Sequence, residues 1–232
     1  MNAKFISFEG IDYCGKTTQI KRLEAYLKEH NIPNFVGVEP GSTALGGTLR
    51  RILKRPTDVY VSMNELFKGN PDFPEIPLDQ KRTDEAETLL FLAARAEFFK
   101  YIVEPKLKEG ISVLADRFID STVAYQGGGR WQGDRDVVAL INRLNNFVTK
   151  GKTPDLTFLL AIDYATMLKR SEGKRKDYIE SSGERFYNGI IVQYTELADR
   201  NTGRIVRIDG KQTPEQIFEM EIIPRVKKLY GI

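Results

Sequence analysis

Short apolar runs alternate along this chain with longer segments in which apolar residues recur at every third or fourth position. The short runs predict strands, and the longer periodic segments predict amphipathic helices. The first predicted strand runs from Phe5 up to Gly10, and the others cover residues 35–38, 111–115, 156–162 and 205–208. One predicted helix follows Gly15, a second contains Leu45 and Leu53, and the others cover residues 84–107, 134–149, 184–199 and the tail from Pro214. This alternation predicts an α/β fold, a parallel sheet with helices on both faces.

Two stretches interrupt the alternation. Residues 56–82 contain four prolines, which predicts a loop-rich insertion with at most one short helix. Residues 126–130 read Gln-Gly-Gly-Gly-Arg, and the three glycines predict a flexible turn or loop. Neither stretch divides the chain, and 232 residues suit one α/β domain with a sizeable core, so we expect residues 1–232 to form a single domain.

Composition and charge exclude several classes of protein. The chain has 35 basic and 32 acidic residues, a formal net charge of +3, and no arginine-rich run, so nucleic-acid binding is not predicted. No apolar stretch approaches the ~18 residues of a membrane span. The N-terminus lacks the long apolar core of a signal peptide, so we expect a cytoplasmic protein without a membrane segment.

Cysteine and histidine are almost absent. Cys14 and His30 are the single examples of their types, which excludes an intrachain disulfide and a Cys/His zinc site. A bound metal is therefore expected to have oxygen ligands, as Mg²⁺ does.

The segment from Gly10 to Thr17 fits the pattern G-x-x-x-x-G-K-[ST], between an apolar strand and an amphipathic helix. Such a loop directs its backbone N–H groups at phosphate oxygens, and the positive end of the helix dipole lies at the same place. Lys16 adds a charge near the β- and γ-phosphates, and the Thr17 hydroxyl reaches Mg²⁺. The sequence therefore predicts that the chain binds a nucleoside triphosphate.

Ligands of a parallel α/β sheet bind beyond the carboxyl ends of the strands, so residues that directly follow strands are candidates. Glu39 follows the second predicted strand, and Asp116 and Arg117 follow the third. Asp116 is placed to act as the second Mg²⁺-associated residue, and Arg117 is placed to bridge two phosphate groups.

Five blocks carry a family resemblance: FEGID…GKTTQ, EPGST, LLFLAARAEF, DRF–DSTVAYQGGGR and PDLTFLLAID. In order and spacing they resemble the thymidylate kinase family, P-loop enzymes that convert dTMP to dTDP with ATP and Mg²⁺. The resemblance is closest over residues 3–163. It implies a five-stranded parallel sheet and a homodimer that packs long helices together, including the helix with residues 90–99.

The resemblance also assigns a donor site and an acceptor site. The implied ATP-binding residues are Gly10, Ile11, Asp12, Tyr13, Cys14, Gly15, Lys16, Thr17, Thr18 and Arg170. The implied dTMP-binding residues are Asp12, Glu39, Arg50, Phe91, Arg95, Arg117, Ser121, Tyr125 and Gln126.

Particular roles follow within those sets. Arg50 is expected to hold the acceptor phosphate, and Phe91 to stack on thymine. Arg95, one helical turn after Phe91, is expected to bond a base oxygen. Ser121 and Gln126 are expected at the pyrimidine edge, with Tyr125 beside the 2′ position of the sugar. Asp12 is expected between the two nucleotides. Without the family, Phe91 would be read as a core residue.

The chain departs from the family at the catalytic arginine. Members carry an arginine either at the position of Tyr13 or in a basic lid, where this chain has Tyr178. The basic run from Lys169 to Lys176 is the predicted lid, within about residues 169–182. Arg175 is expected to supply the missing cation because a planar guanidinium can bridge two phosphate oxygens. The expected catalytic residues are thus Asp12, Lys16, Arg117 and Arg175.

Two other functions stay open at this point. One is a sibling kinase for a different monophosphate or for a nucleoside. The other is a P-loop protein that binds nucleotide as a switch or scaffold with weak transfer. Arg50, Phe91, Arg95 and Tyr125 favour a pyrimidine acceptor site, which a switch does not need.

Overall fold

The computed structural model describes residues 2–232, and its centre is a five-stranded sheet in the order β2-β3-β1-β4-β5. All four neighbouring strand pairs are parallel. The strands are β1 (Phe5–Glu9), β2 (Asn34–Val38), β3 (Ser112–Asp116), β4 (Leu156–Ala161) and β5 (Ile205–Asp209). The predicted fold class is confirmed, and each predicted strand is found within about one residue of its expected bounds.

Helices connect the strands. They are α1 (Lys16–Glu29), α2 (Ala44–Lys54), α3 (Pro56–Leu66), α4 (Asp84–Phe98), α5 (Glu104–Lys108), α6 (Ile119–Thr122), α7 (Arg135–Val148), α8 (Tyr164–Arg170), α9 (Glu184–Arg200), α10 (Pro214–Gln216) and α11 (Ile223–Tyr230). Three π-helical segments, Phe99–Val103, Val123–Arg130 and Ile217–Ile222, continue helices. Within the described part of the chain, no helix combines the length and apolar character needed to span a bilayer.

The sheet is covered on both faces because side chains alternate along each strand. Phe5 and Val113, paired across β1 and β3, pack with Phe98 and Val103 of the long helical path. The next residues along these strands pack instead with Leu23 and Leu27 of α1. The predicted helix over residues 84–107 is thus present, with a π-helical segment just before Pro105, which lacks the N–H needed for regular helical bonding.

The glycine-rich stretch is a correction to the sequence prediction. Residues 126–130 belong to the buried π-helical segment Val123–Arg130 rather than to a flexible loop. A Cβ on Gly128 would lie 2.6 Å from the carbonyl oxygen of Gly189 in α9. The glycines therefore permit the close approach of two helical segments, a packing role that a turn prediction does not capture.

The proline-rich insertion contains one helix, α3, with Pro56 in its first turn, as expected. The rest of residues 56–82 is irregular. Arg82 joins its end to the body of the domain by donating to the carbonyl oxygens of Ile52 and Leu53, at 2.8 and 3.0 Å.

Candidate active site

A cleft of about 650 Å³ lies beyond the carboxyl ends of β1, β2 and β3. Its walls bring together the expected acceptor residues Asp12, Glu39, Arg50, Phe91, Arg95, Arg117, Ser121, Tyr125 and Gln126. They also include the expected donor and metal residues Tyr13, Gly15, Lys16, Thr17, Thr18, Asp116 and Arg170. Gly10, Ile11, Cys14 and Arg175 do not line it. A volume of this size suits small-molecule ligands.

The loop before α1 has the backbone geometry of a phosphate cradle. Gly10 and Gly15 have φ angles of 130° and 103°, in the left-handed region that glycine adopts without strain. The Lys16 ammonium folds back and donates to the carbonyl oxygens of Gly10 and Ile11, at 3.1 and 3.0 Å. The charge of Lys16 thus stays within the loop, where phosphate oxygens would replace the two carbonyls.

The side chain of Cys14, a residue of this loop, packs in the hydrophobic core. Its side chain is 1% exposed, and its sulfur accepts a hydrogen bond from the Lys16 ammonium at 3.6 Å. Cys14 therefore supports the loop from below and presents no thiol to the cleft.

Asp12 and Arg117 form the centre of the cleft. Arg117 Nη2 donates to Asp12 Oδ1 at 2.9 Å and to the Tyr125 hydroxyl at 2.9 Å. Arg117 Nη1 donates to the Gly10 carbonyl at 2.9 Å, which ties β3 to the phosphate-binding loop. Burial alone would raise the pKa of the Asp12 carboxyl, but the charges of Arg117, Lys16 and Lys54 outweigh burial and lower it to about 2. Asp12 is therefore a carboxylate throughout the physiological pH range.

Tyr187 is a site residue that sequence reasoning missed. From α9 its hydroxyl donates to Asp12 Oδ2 at 3.0 Å, beside the Tyr125 hydroxyl, which donates to the same oxygen at 2.9 Å. The partners lie 175 positions apart in the sequence, and no local pattern joins them.

The acceptor wall is formed by α2, α4 and the π-helical segment Val123–Arg130. Arg50 Nη1 donates to the Pro40 carbonyl at 2.9 Å, so its guanidinium is held at the loop after β2. Phe91 is partly buried and presents its ring to the cleft. Tyr125 also lines the cleft, and the Arg117 guanidinium lies 4.7 Å from the centre of its ring.

Arg95, which is expected to bond a base oxygen, lines the cleft and is also engaged by protein groups. Instead of offering free N–H groups, it donates to Glu39 Oε2, Thr122 Oγ1, Asn145 Oδ1 and the Phe118 carbonyl, at 2.5–2.8 Å. Its side chain is 2% exposed. A buried guanidinium requires partners. Here α6, α7 and the loops after β2 and β3 provide them, so Arg95 ties α4 to four other elements under the acceptor wall.

The same network leaves one acceptor free. Glu39 is buried, and its Oε1 has no hydrogen-bond partner among the described residues. Burial raises the pKa of Glu39, although the Arg95 charge opposes this. An unpaired buried oxygen is costly, which suggests that a ligand supplies its donor.

Gln126 and Arg130 are also engaged by protein groups. The Gln126 amide donates to Glu87 Oε1 at 3.1 Å, and Arg130 binds both carboxylate oxygens of Glu87 at 2.9 Å. Gln126 lines the cleft and Arg130 does not. The side-chain carbonyl oxygen of Gln126 therefore remains for a ligand.

The covering segment, residues 171–182 after α8, contributes Lys174, Asp177 and Glu180 to the walls of the cleft. Arg170 donates to the carbonyl of Gly210 at 2.9 Å, and the Lys174 ammonium lies 4.5 Å from the centre of the Tyr13 ring. Arg175 is exposed and lies outside the lining. The expectation that Arg175 supplies the missing cation is therefore corrected, because Lys174 is the residue of this pair that lines the cleft. The chain has no regular secondary structure at this point, and Gly173, just before Lys174, has a φ angle of 73°.

Two oxygen ligands lie where a metal was expected. The Thr17 hydroxyl is 3.5 Å from Asp116 Oδ2, and both residues line the cleft. Mg²⁺ usually keeps several waters and takes one or two protein oxygens with substrate phosphates. A hydroxyl and a carboxylate beside the phosphate loop fit that donor set.

Glu9 is a buried carboxyl under the cleft floor. It accepts hydrogen bonds from the Phe118 backbone N–H at 2.7 Å, from Ser121 at 2.5 Å and from Tyr194 at 2.8 Å. Burial and the nearby charge of Asp120 raise the pKa of Glu9 to about 7. Glu9 thus fixes the turn that carries Arg117.

We expect Glu9→Gln to change how stability depends on pH. The folded-state pKa of Glu9 lies above its ordinary value of 4.5, so the proton on Glu9 stabilises the fold. That stabilisation is complete below about pH 4.5 and is lost as the pH rises to about 7. Between these values, the free energy of unfolding of the wild type should fall relative to Glu9→Gln. Urea unfolding across this range measures the difference. The exposed-site variant Glu29→Gln should follow the wild type, and parallel curves for Glu9→Gln would contradict the assignment.

Comparisons with known proteins agree on one family. The thymidylate kinase family model matches residues 8–68 and 75–221. The thymidylate kinase of Fervidobacterium nodosum is 37% identical over 213 residues, 92% of this chain and 93% of that protein. That of Carboxydothermus hydrogenoformans is 37% identical over 219 residues and covers 94% of both chains. The crystal structure of thymidylate kinase from Ehrlichia chaffeensis superposes with a TM-score of 0.67 at 31% identity, covering 97% of this chain and 99% of that one.

Proposed function

The chain belongs to the thymidylate kinase family, and we infer that it transfers the γ-phosphoryl group of ATP to dTMP and so forms dTDP. One observation carries the inference. Asp12 and Arg117, bonded to each other at 2.9 Å, lie where the phosphate-binding loop meets the acceptor wall in one cleft. A nucleotide switch needs the loop alone, whereas a kinase needs both halves in contact.

The reaction requires alignment and positive charge. A phosphate oxygen of dTMP attacks the γ-phosphorus, the bond from that phosphorus to the β,γ-bridging oxygen breaks, and ADP leaves with the electron pair. Lys16 would neutralise the donor phosphates, Arg50 would hold the acceptor phosphate, and Arg117 would lie between them. Burial of these groups strengthens their attraction for phosphate oxygens.

Mg²⁺ is proposed as the metal, held by Thr17 and Asp116. When bound, it neutralises charge on the donor phosphates. The 3.5 Å separation of the Thr17 hydroxyl and Asp116 Oδ2 supports the assignment. Asp12, whose carboxylate is satisfied by Arg117 and two tyrosines, is proposed to orient Arg117 and the acceptor sugar.

The acceptor roles are proposed as follows. Phe91 stacks on the base, and Tyr125 limits the space beside the sugar. Ser121 and the free amide oxygen of Gln126 lie at the pyrimidine edge, and the unpaired Glu39 Oε1 accepts a donor of the nucleotide. Arg95 positions Glu39 beneath the base rather than bonding the base through a free N–H group.

A homodimer is proposed through the face formed by α4 and α7. Leu89 and Phe147 are 57% and 81% exposed on these neighbouring helices, and Tyr101, just after α4, is 62% exposed. Burial of such side chains against a second copy would remove apolar area from water. Sedimentation equilibrium tests this, since a mass of 26.5 kDa would exclude the dimer.

We expect dTMP to be the best acceptor in a coupled assay with ATP and Mg²⁺ against a panel of monophosphates, with AMP and UMP poor. Phe91→Ala should weaken dTMP binding by about 1–3 kcal/mol, the scale of one base–aromatic stack. Phe73→Ala, which removes a half-exposed ring in the insertion, is the matched control and should leave acceptor affinity unchanged. Comparable efficiency with AMP or UMP would contradict the proposed acceptor.

A further inference from the structure

This chain has tyrosines, Tyr13 and Tyr178, at the two positions where members of the family carry a catalytic arginine. Tyr13 in the phosphate loop donates its hydroxyl to Glu180, and Tyr178 in the covering segment lies 4.8 Å from the Arg82 guanidinium, away from the cleft lining. Phosphoryl transfer nevertheless requires cations around the equatorial oxygens of the moving group.

Lys54 is a cation in the cleft that has no role so far. It lies in the last turn of α2, four residues after Arg50, so both side chains project from the same helix face. Both line the cleft. The Lys54 charge also contributes to the low pKa of Asp12, which indicates that its field reaches the centre of the site.

Asp177 holds the Lys54 ammonium. The Lys54 Nζ lies 2.6 Å from Asp177 Oδ2, and the Lys54 side chain is 28% exposed. The other carboxylate oxygen, Oδ1, accepts the backbone N–H groups of Ile179 and Glu180, both at 2.9 Å. Oδ2 therefore has a fixed position, whereas the lysine has a flexible stem.

The surrounding contacts place this pair between the two halves of the site. Glu180 Oε2 accepts the Tyr13 hydroxyl at 3.1 Å, and the Tyr178 backbone N–H donates to the Lys54 carbonyl at 3.1 Å. The covering segment thus joins the end of α2 to the phosphate loop, with Lys54 at the junction.

We propose that Lys54 is the cation that completes the phosphoryl-transfer site, exchanging its ion pair with Asp177 for oxygens of the transferring group. Asp177, whose side chain is 8% exposed, keeps its two backbone N–H donors on Oδ1 while the lysine is exchanged. An ammonium on a flexible stem can also follow the phosphoryl group as it moves. This inference rests on the proposed kinase function and adds a catalytic residue to it.

The test compares Lys54→Met with Arg51→Met, which removes an exposed cation from the neighbouring position of α2. Lys54→Met should lower kcat by about 10²-fold or more, the scale of one lost transition-state donor. The KM for ATP should change by less than about five-fold, the pattern of an interaction made only in the transition state. Lys54→Arg should be clearly more active than Lys54→Met, and Arg51→Met should match the wild type.

If Lys54 only holds α2 against the covering segment through its ion pair with Asp177, a different result is expected. In that case Asp177→Asn, which keeps Oδ1 for the two backbone N–H groups but removes the charge, should lower kcat as much as Lys54→Met. Under the proposal its effect is at least about ten-fold smaller. Equal losses, a kcat for Lys54→Met within about three-fold of wild type, or a Lys54→Arg variant no better than Lys54→Met would each overturn the proposal.

The assay separates failure of this inference from failure of the proposed function. The wild type is first measured with the panel of monophosphates, and the variants are then compared with whichever acceptor is best. A best acceptor other than dTMP contradicts the proposed substrate and leaves the Lys54 comparison intact. A thermal unfolding midpoint within a few degrees of wild type for each variant confirms that lost turnover reflects the missing charge.

Discussion

Lys16→Met is expected to lower kcat by about 10²–10³-fold, the cost of removing one preorganised charge from the transferring phosphates. Lys16 is 7% exposed, and its ammonium bonds two loop carbonyls, so the charge is fixed and largely desolvated before ATP arrives. In such surroundings its attraction for phosphate oxygens is much stronger than in water. Steady-state kinetics with ATP and dTMP measures the loss.

Folding should be little affected in that variant. Both loop carbonyls lose the lysine, but the Gly10 carbonyl keeps a second side-chain donor, Arg117 Nη1 at 2.9 Å. Lys21→Met, an exposed change later on the same helix, is the matched control and should retain full activity. If Lys16→Met kept more than about a tenth of wild-type kcat, the loop would bind ATP without providing the catalytic charge.

The parts of this site that the sequence predicts are those encoded locally. The Gly10–Thr17 pattern specifies a loop geometry over eight residues, and Glu39, Asp116 and Arg117 directly follow strands. Parallel topology then brings these strand ends to one edge of the sheet, so their proximity follows without knowledge of packing. The family resemblance adds the acceptor residues, which lie on elements that local patterns also predict.

The parts that could not be predicted depend on partners far along the chain. Arg95 bonds residues 56, 27, 50 and 23 positions away, so its buried network cannot be read from the helix that carries it. Lys54 and Asp177 are 123 positions apart. The choice between Lys174 and Arg175 depends on the path of a segment without periodicity, where neighbouring side chains point in different directions.

The glycines of the π-helical segment illustrate the same limit. Three consecutive glycines predict flexibility when considered alone, because glycine loses the most freedom on folding. In the structure a Cβ on Gly128 would collide with Gly189 and Gln193 of α9, and a Cβ on Gly129 would collide with Phe186 of the same helix. A Cβ on Gly127 would instead meet Val138 of α7. The three glycines are visible in the sequence, but their packing role becomes clear only when the π-helical segment is placed against the helices that it contacts.

Arg117→Gly should separate activity from folding most sharply. Arg117 has a φ angle of 75°, in the left-handed region that is unfavourable for a residue with a Cβ. Glycine relieves that strain by about 1–2 kcal/mol, which offsets part of the lost hydrogen bonds to Gly10, Asp12 and Tyr125. The guanidinium between the nucleotides is nevertheless removed, so kcat/KM should fall by about 10³-fold or more.

Two further variants decide whether this explanation holds. Arg117→Ala removes the same guanidinium but keeps a Cβ, so it should be equally inactive and about 1 kcal/mol less stable than Arg117→Gly. Lys150→Gly, at a surface position with a φ angle of 51°, is the control for backbone relief and should retain full activity. Urea unfolding and steady-state kinetics on the same preparations measure both effects. If Arg117→Gly and Arg117→Ala were equally stable, the backbone at Arg117 would carry no strain. If Arg117→Gly kept its turnover, the charge between the two nucleotides would have to come from Lys16, Lys54 and Arg50 alone.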